Sequence, residues 1–171
     1  DIDNLVSFFR HRHVDLALMH CVARYPVPNE SLHMNFLNKL SRRYPDVPIG
    51  YSGHEAPDNL DVVKIAVSKG ARLFERHVGV PTETIKLNAY SMNPEQADAW
   101  VGGAVTAHTI CGVGYERPIE QEEIDSLLSL KRGVFAAHTI RKGARLAPKD
   151  VFFAMPCREG QLTSGDFGQK R

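Results

Sequence analysis

The feature that most constrains this chain is an alternation. Short apolar runs of strand length recur about every 25–30 residues, with an amphipathic helical pattern between each pair. The runs are VDLALMHC at 14–21, VPIGYSGH at 47–54 and ARLFERHV at 71–78. Ahead of the first, Ile2, Leu5, Val6 and Phe9 repeat at helical spacing through residues 2–10. After it, a proline-containing loop (RYPVPNES, 24–31) leads into a helix whose buried stripe is Leu32, Phe36, Leu37 and Leu40, stopping before Tyr44-Pro45. Pro57, Asp58 and Asn59 start a third helix, which Leu60, Val63 and Val67 carry to Gly70. Asn93-Pro94-Glu95 starts a fourth, with Asn as cap and Pro at the first helical position; Trp100, Val101, Ala104, Val105 and His108 share one of its faces. Strands alternating with helices in this order build a parallel sheet, so the expected class is α/β.

The texture changes beyond Gly114. Residues 115–133 read as a polar linker with a short helix, and residues 134–171 as the beginning of a small β-rich domain around the turn at Lys142-Gly143. Apolar residues make up 43% and charged residues 24%, and 21 basic against 20 acidic side chains leave a net charge of +1. That balance gives no electrostatic reason for a nucleic-acid or membrane partner. Cys21, Cys111 and Cys157 are widely spaced and form no CxxC pair, which fits buried or half-buried free thiols in the cytoplasm. With Asp1 first, the sequence reads as a piece of a longer chain. A three-strand arc on its own would leave sheet edges unpaired, so the piece alone is expected to be inactive and to aggregate.

In parallel sheets, ligands sit at the carboxyl ends of the strands, and His20, Ser52, His54 and His77 all fall at or near those ends. A lone histidine is more often a structural residue than a ligand, and His11, His13, His33, His108 and His138 are given no role. His54 and His77 stand apart because they end adjacent strands. Neighbouring strands lie about 4.8 Å apart, so two imidazoles at their tips can share one divalent ion, with water and substrate oxygens completing the site. By alternation Ser52, His54, Glu75 and His77 face one side of the sheet, and Arg76 the other, toward a helix. Glu75 is either half of an internal salt bridge or a partner that orients a ligand histidine. Tyr25 either offers its phenol to a substrate or packs against the prolines beside it.

The stretch LMHCVARYPVPNESLHMNFLNKLSRRYPDVPIGYSGHE, with SKGARLFERHV and SMNP after it, resembles the sialic acid synthase family, and HTIRKGARLAPKDV is similar to the start of that family's antifreeze-like (SAF) domain. The resemblance implies that residues 1–114 are the last three strands of a (β/α)8 TIM barrel. It also implies a metal-dependent N-acetylneuraminate synthase-like enzyme that joins phosphoenolpyruvate to an N-acetylmannosamine-type aldose. His54 and His77 match the family's ligands for Mn2+ or Mg2+, Ser52 a residue near phosphoenolpyruvate, and Tyr25 a tyrosine of the sugar pocket. A homodimer, with one subunit's β-rich tail over the other's barrel mouth, is implied as well.

Three positions depart from the family pattern. Ala23 stands where a polar residue is common, and PTETIKLNAY before Ser91 lacks the usual acidic motif, for which Glu83 is a candidate substitute. Met155 replaces an arginine that reaches the partner's sugar pocket. These departures bear on the acceptor sugar more than on the reaction type. They also keep open a non-catalytic sugar-binding homologue, or an inactive gene fragment.

Overall fold

The computed structural model describes residues 1–169, in two units that divide between Gly114 and Tyr115. The first unit runs α1 (Ile2–Arg10), β1 (Leu18–Cys21), α2 (Asn35–Arg43), β2 (Ile49–Gly53), α3 (Leu60–Ser68), β3 (Leu73–Arg76) and α4 (Pro94–Cys111). Its three strands form a parallel sheet in the order β1-β2-β3, as the alternation predicts. All three are shorter than the apolar runs that signal them, because the flanking residues pass into loops before pairing.

Strand alternation divides the sheet into two unlike faces. Leu18, His20, Ile49, Tyr51, Phe74 and Arg76 lie toward the helices, in register as Leu18 with Ile49, His20 with Tyr51 and Tyr51 with Phe74. Ile49 and Tyr51 are buried with Leu37 and Leu40 of α2 and with Val62 and Ala66 of α3. A second cluster joins Val63, Met92 and Trp100, and the Phe74 ring meets Trp100 edge-on at 5.8 Å. The other face carries Met19, Cys21, Gly50, Ser52, Leu73 and Glu75. Gly50 lies between its neighbours' side chains. A Cβ there would stand 2.3 Å from the Met19 sulfur and 2.6 Å from the Leu73 carbonyl oxygen, so only glycine lets the strands close at this point.

Asn93 caps α4 as its sequence predicts, accepting from the Gln96 N–H while the Gln96 side chain accepts from the Asn93 N–H. The buried stripe of α4 differs from the expected one. Trp100, Gly103 and Ala107 are buried, whereas Val101 and Val105 are exposed. The reason is that this line of α4 packs on α3, where a Cβ at Gly103 would make ordinary contact with Val63 at 3.6 Å. On α2 Phe36 is likewise about one-third exposed, and Leu32 is buried ahead of the helix instead of within it. Cys21 and Cys111 are exposed, not buried; all three thiols are free.

The second unit contains α5 (Gln121–Ser129), an antiparallel pair β4 (Gly133–Ala136) and β5 (Val151–Ala154), and α6 (Ser164–Gln169). Phe135 and Phe152 stack across the pair at 5.5 Å. Among the described residues, no side chain of this unit is fully buried. No helix among them is long and apolar enough to cross a membrane.

Two expected outcomes follow from this packing. Gly50→Ala forces Met19 or the β3 backbone aside and should cost about 1–3 kcal/mol, read as a lower denaturant midpoint of the complete protein; an unchanged midpoint would contradict the packing. The second concerns Asp3, which ties α1 to α2 by accepting from Arg43 Nε and Nη2 (3.1 and 3.0 Å) and from the Tyr44 hydroxyl (2.6 Å). These bonds, Arg43 foremost, hold its carboxyl at about 2, below the ordinary 3.8. A folded value below the unfolded one adds stability above 3.8 that is lost as pH falls toward about 2. Thermal stability should therefore drop more steeply over that window in the native protein than in Asp3→Asn.

Candidate active site at the carboxyl ends of the strands

Ser52 and Glu75 are direct partners in the β2–β3 register, and the Ser52 hydroxyl donates to the Glu75 carboxylate at 3.1 Å. Glu75 is therefore engaged by Ser52, and no hydrogen bond joins it to either imidazole. Two residues further along each strand direction come His54 and His77. Their ring centroids lie 5.1 Å apart at an interplanar angle of 48°. His20 does not join them. It is buried on the helix side of the sheet, where its Nε2 lies 2.8 Å from the Leu32 carbonyl oxygen.

The convergence of the two rings is built from behind. Glu55 follows His54, and Arg76 precedes His77; their side chains are 0% and 2% exposed. The Arg76 guanidinium donates to the Glu55 carbonyl oxygen at 2.6 Å and stands 3.5 Å from the Glu55 carboxylate. That carboxylate also accepts from the Tyr51 hydroxyl at 2.7 Å. Arg76 thus faces the helix side, as alternation predicts, but its partner is the turn after β2 and not a helix. Gly53 makes room for the arrangement, since a Cβ there would stand 2.5 Å from the Glu55 carboxylate. In GYSGHE, then, Tyr51 and Glu55 hold the turn, Gly53 clears it, and Ser52 and His54 emerge on the open side.

Tyr25 reaches the site by a separate tie. The Val27 N–H donates to the His54 carbonyl oxygen at 2.9 Å, which brings the loop after β1 against β2. The Tyr25 ring then meets His54 edge-on at 4.3 Å. Tyr90 completes the group and was missed in the sequence. Its ring lies 5.1 Å from His77, 5.1 Å from Tyr25 and 5.8 Å from His54. No spacing rule points to it, because it arrives through an irregular stretch that returns to the sheet: the Met92 N–H donates to the His77 carbonyl oxygen at 2.9 Å. Glu83 does not replace the missing acidic motif; among the described residues no group of three or more His, Cys, Asp or Glu is placed to hold a metal ion.

Electrostatics favour the neutral form of His54. Burial, and then the neighbouring His77, push the His54 ring below its ordinary value, with Arg76 adding to the shift. A neutral ring keeps the lone pair that a metal ligand needs. Two imidazoles side by side are chemically suited to a divalent ion, as two nitrogen donors of a site that leaves its other positions to oxygen ligands. On the helix side, burial raises the Tyr51 hydroxyl, so it stays a donor to Glu55.

Residues 1–116 match the NeuB family. The chain is 28% identical over 176 residues to N-acetylneuraminate-9-phosphate synthase of Drosophila melanogaster, covering 90% of this chain and 46% of that protein. Against the spore coat polysaccharide biosynthesis protein SpsE of Bacillus subtilis it is 28% identical over 153 residues, covering 88% and 39% respectively. A solved structure from Chromobacterium violaceum, provisionally described as spore coat polysaccharide biosynthesis protein E, superposes with a TM-score of 0.83 at 44% identity, covering 99% of this chain and 51% of that one. The chain spans about half the length of the relatives it matches.

The Glu55–Arg76 pair yields a direct test. Arg76→Met leaves a buried carboxylate without its cation and should destabilise the complete protein by about 3–5 kcal/mol, with Glu55→Gln in the same chain recovering part of the loss. Urea denaturation reads both; a single variant as stable as the native protein would show that the pair does not hold the turn.

Proposed function

This chain belongs to the NeuB family, and on that premise we propose that it is the C-terminal part of a metal-dependent synthase. The complete enzyme condenses phosphoenolpyruvate with an N-acetylmannosamine-type aldose to give a 2-keto-3-deoxy sugar acid. The observation that carries this reading is the meeting of His54 and His77, 5.1 Å apart, at the carboxyl ends of neighbouring parallel strands. In it, β1–β3 are the last strands of a (β/α)8 barrel; β1 and β3 each pair on one side only, leaving edges for further strands. Residues 134–171 open the antifreeze-like (SAF) domain, and the complete protein is a cytoplasmic homodimer.

A bound divalent ion would polarise the aldehyde of the open-chain sugar and stabilise the negative charge that develops on its oxygen as C3 of phosphoenolpyruvate attacks. Water then adds at C2 and phosphate leaves. His54 and His77 would hold the ion through imidazole nitrogens, a donor set that favours manganese over magnesium. Ser52 stands on the same face, near phosphoenolpyruvate, and donates to that anion once its one hydroxyl proton turns from Glu75. Tyr25, 52% exposed beside His54, meets the sugar.

The test uses the complete protein. With Mn2+, phosphoenolpyruvate and N-acetylmannosamine it should release phosphate, and His54→Ala or His77→Ala should lower kcat/KM by about a thousandfold, the worth of several kcal/mol of charge stabilisation. Full activity in both variants would remove the metal role. Sugar binding by calorimetry without turnover would favour the binding homologue.

A further inference from the structure

We propose that the end of β1 positions His54: the Cys21 sulfur and the Val22 carbonyl hold its ring as the Nδ1–H tautomer and leave Nε2 bare for an ion. The inference rests on the metal role given to His54 above. Cys21 ends β1 directly opposite Ser52 in the register, on the open face of the sheet. Its sulfur lies 3.9 Å from His54 Nδ1. One residue on, the Val22 backbone hydrogen-bonds the same ring. That bond favours a protonated ring nitrogen, so the Val22 carbonyl is the acceptor and a ring N–H the donor. The sulfur beside Nδ1 marks which nitrogen turns toward residues 21 and 22, and the proton belongs there. Nε2, on the other side of the ring, keeps its lone pair.

The local chain is arranged for this contact. The Arg24 N–H donates to the Val22 carbonyl oxygen at 2.8 Å, a three-residue turn that fixes the direction of the carbonyl and leaves it a second lone pair. The Val27 N–H, from the same loop, holds the His54 main chain at 2.9 Å, so this segment grips His54 by backbone and by ring. The other neighbours of the ring are Tyr25, His77 and Tyr90, with centroids at 4.3, 5.1 and 5.8 Å. Among the described residues, no hydrogen bond joins any of them to it. Glu75, the carboxylate for which the sequence left an orienting role open, is engaged by Ser52. His54 is buried, which limits what water can supply, and the tie to Nδ1 falls to β1. A thiol suits that place. It is a weak acceptor without charge, so it fills the space beside the ring and leaves the proton on nitrogen.

The experiment is nitrogen-15 NMR of the complete protein with labelled histidine, without metal and at about pH 8, where imidazole is neutral. The His54 ring, assigned by its loss in His54→Gln, should show the Nδ1–H form. A ring in the Nε2–H form, or a mixture of the two, overturns the proposal, and this measurement needs no variant at position 21. Mn2+ binding, followed by the paramagnetic resonance of the free ion, then tests the thiol. Cys21→Val should weaken binding about tenfold and shift the ring toward a mixture, while Cys21→Ser keeps the native tautomer and an affinity within about threefold. Cys21→Val matching the native protein in both readouts, or Cys21→Ser as weak as Cys21→Val, overturns the part given to Cys21. If the native protein binds no Mn2+, the metal reading fails separately, and the tautomer of the native ring decides the positioning by itself.

Discussion

Arg76 and Glu55 meet in the dry layer between sheet and helices, and the geometry at the strand ends depends on that meeting. Removing a guanidinium and a carboxylate from water is costly, and the cost is offset only when each is held close to the other and to further polar groups. The structure meets this condition in part: the Glu55 carbonyl oxygen accepts from Arg76 and the Glu55 carboxylate accepts from the Tyr51 hydroxyl, while among the described residues Arg76 Nε and Nη1 and Glu55 Oε1 have no hydrogen-bond partner. The contact joins the last residue of β3 to the turn after β2. Because His54 and His77 are the immediate chain neighbours of the two ions, clamping the ions aims the imidazoles.

One consequence is a division of labour between the two faces of a three-stranded sheet. The helix-side residues, Ile49, Tyr51 and Phe74 among them, spend their surface on packing and their charge on internal pairing. The open-side residues are small or polar where they approach the strand ends: Cys21, Ser52 and Glu75 stand in one row of the register. Past that row, backbone bonds from Val27 and Met92 to the carbonyls of His54 and His77 bring in Tyr25 and Tyr90. The same two histidines thus present their rings forward and use their main chain to hold the flanking loops.

Much of the fold is legible without coordinates because its signals are local. Periodicity marks the helices, the Asn93-Pro94 cap is written in adjacent residues, and strand alternation alone aligns Ser52 with Glu75. The departures arise where the deciding partner is distant. Trp100, Gly103 and Ala107 replace the expected stripe of α4 because that line of the helix is the one that packs on α3 and on Phe74. Cys21 is exposed, contrary to expectation, because it lies on the sheet face that the helices do not cover.

The amino-acid order by itself determined the βα alternation, the division after Gly114 and the placing of His54 and His77 at the ends of successive strands. These follow from periodicity, and periodicity is a property of neighbours in the chain. Tertiary structure alone decided that Glu55, not Glu75, takes Arg76, that Glu75 turns to Ser52, and that Tyr90 joins the imidazoles. Each of those choices depends on which groups lose their water together, and burial is settled only when the strands and loops have met.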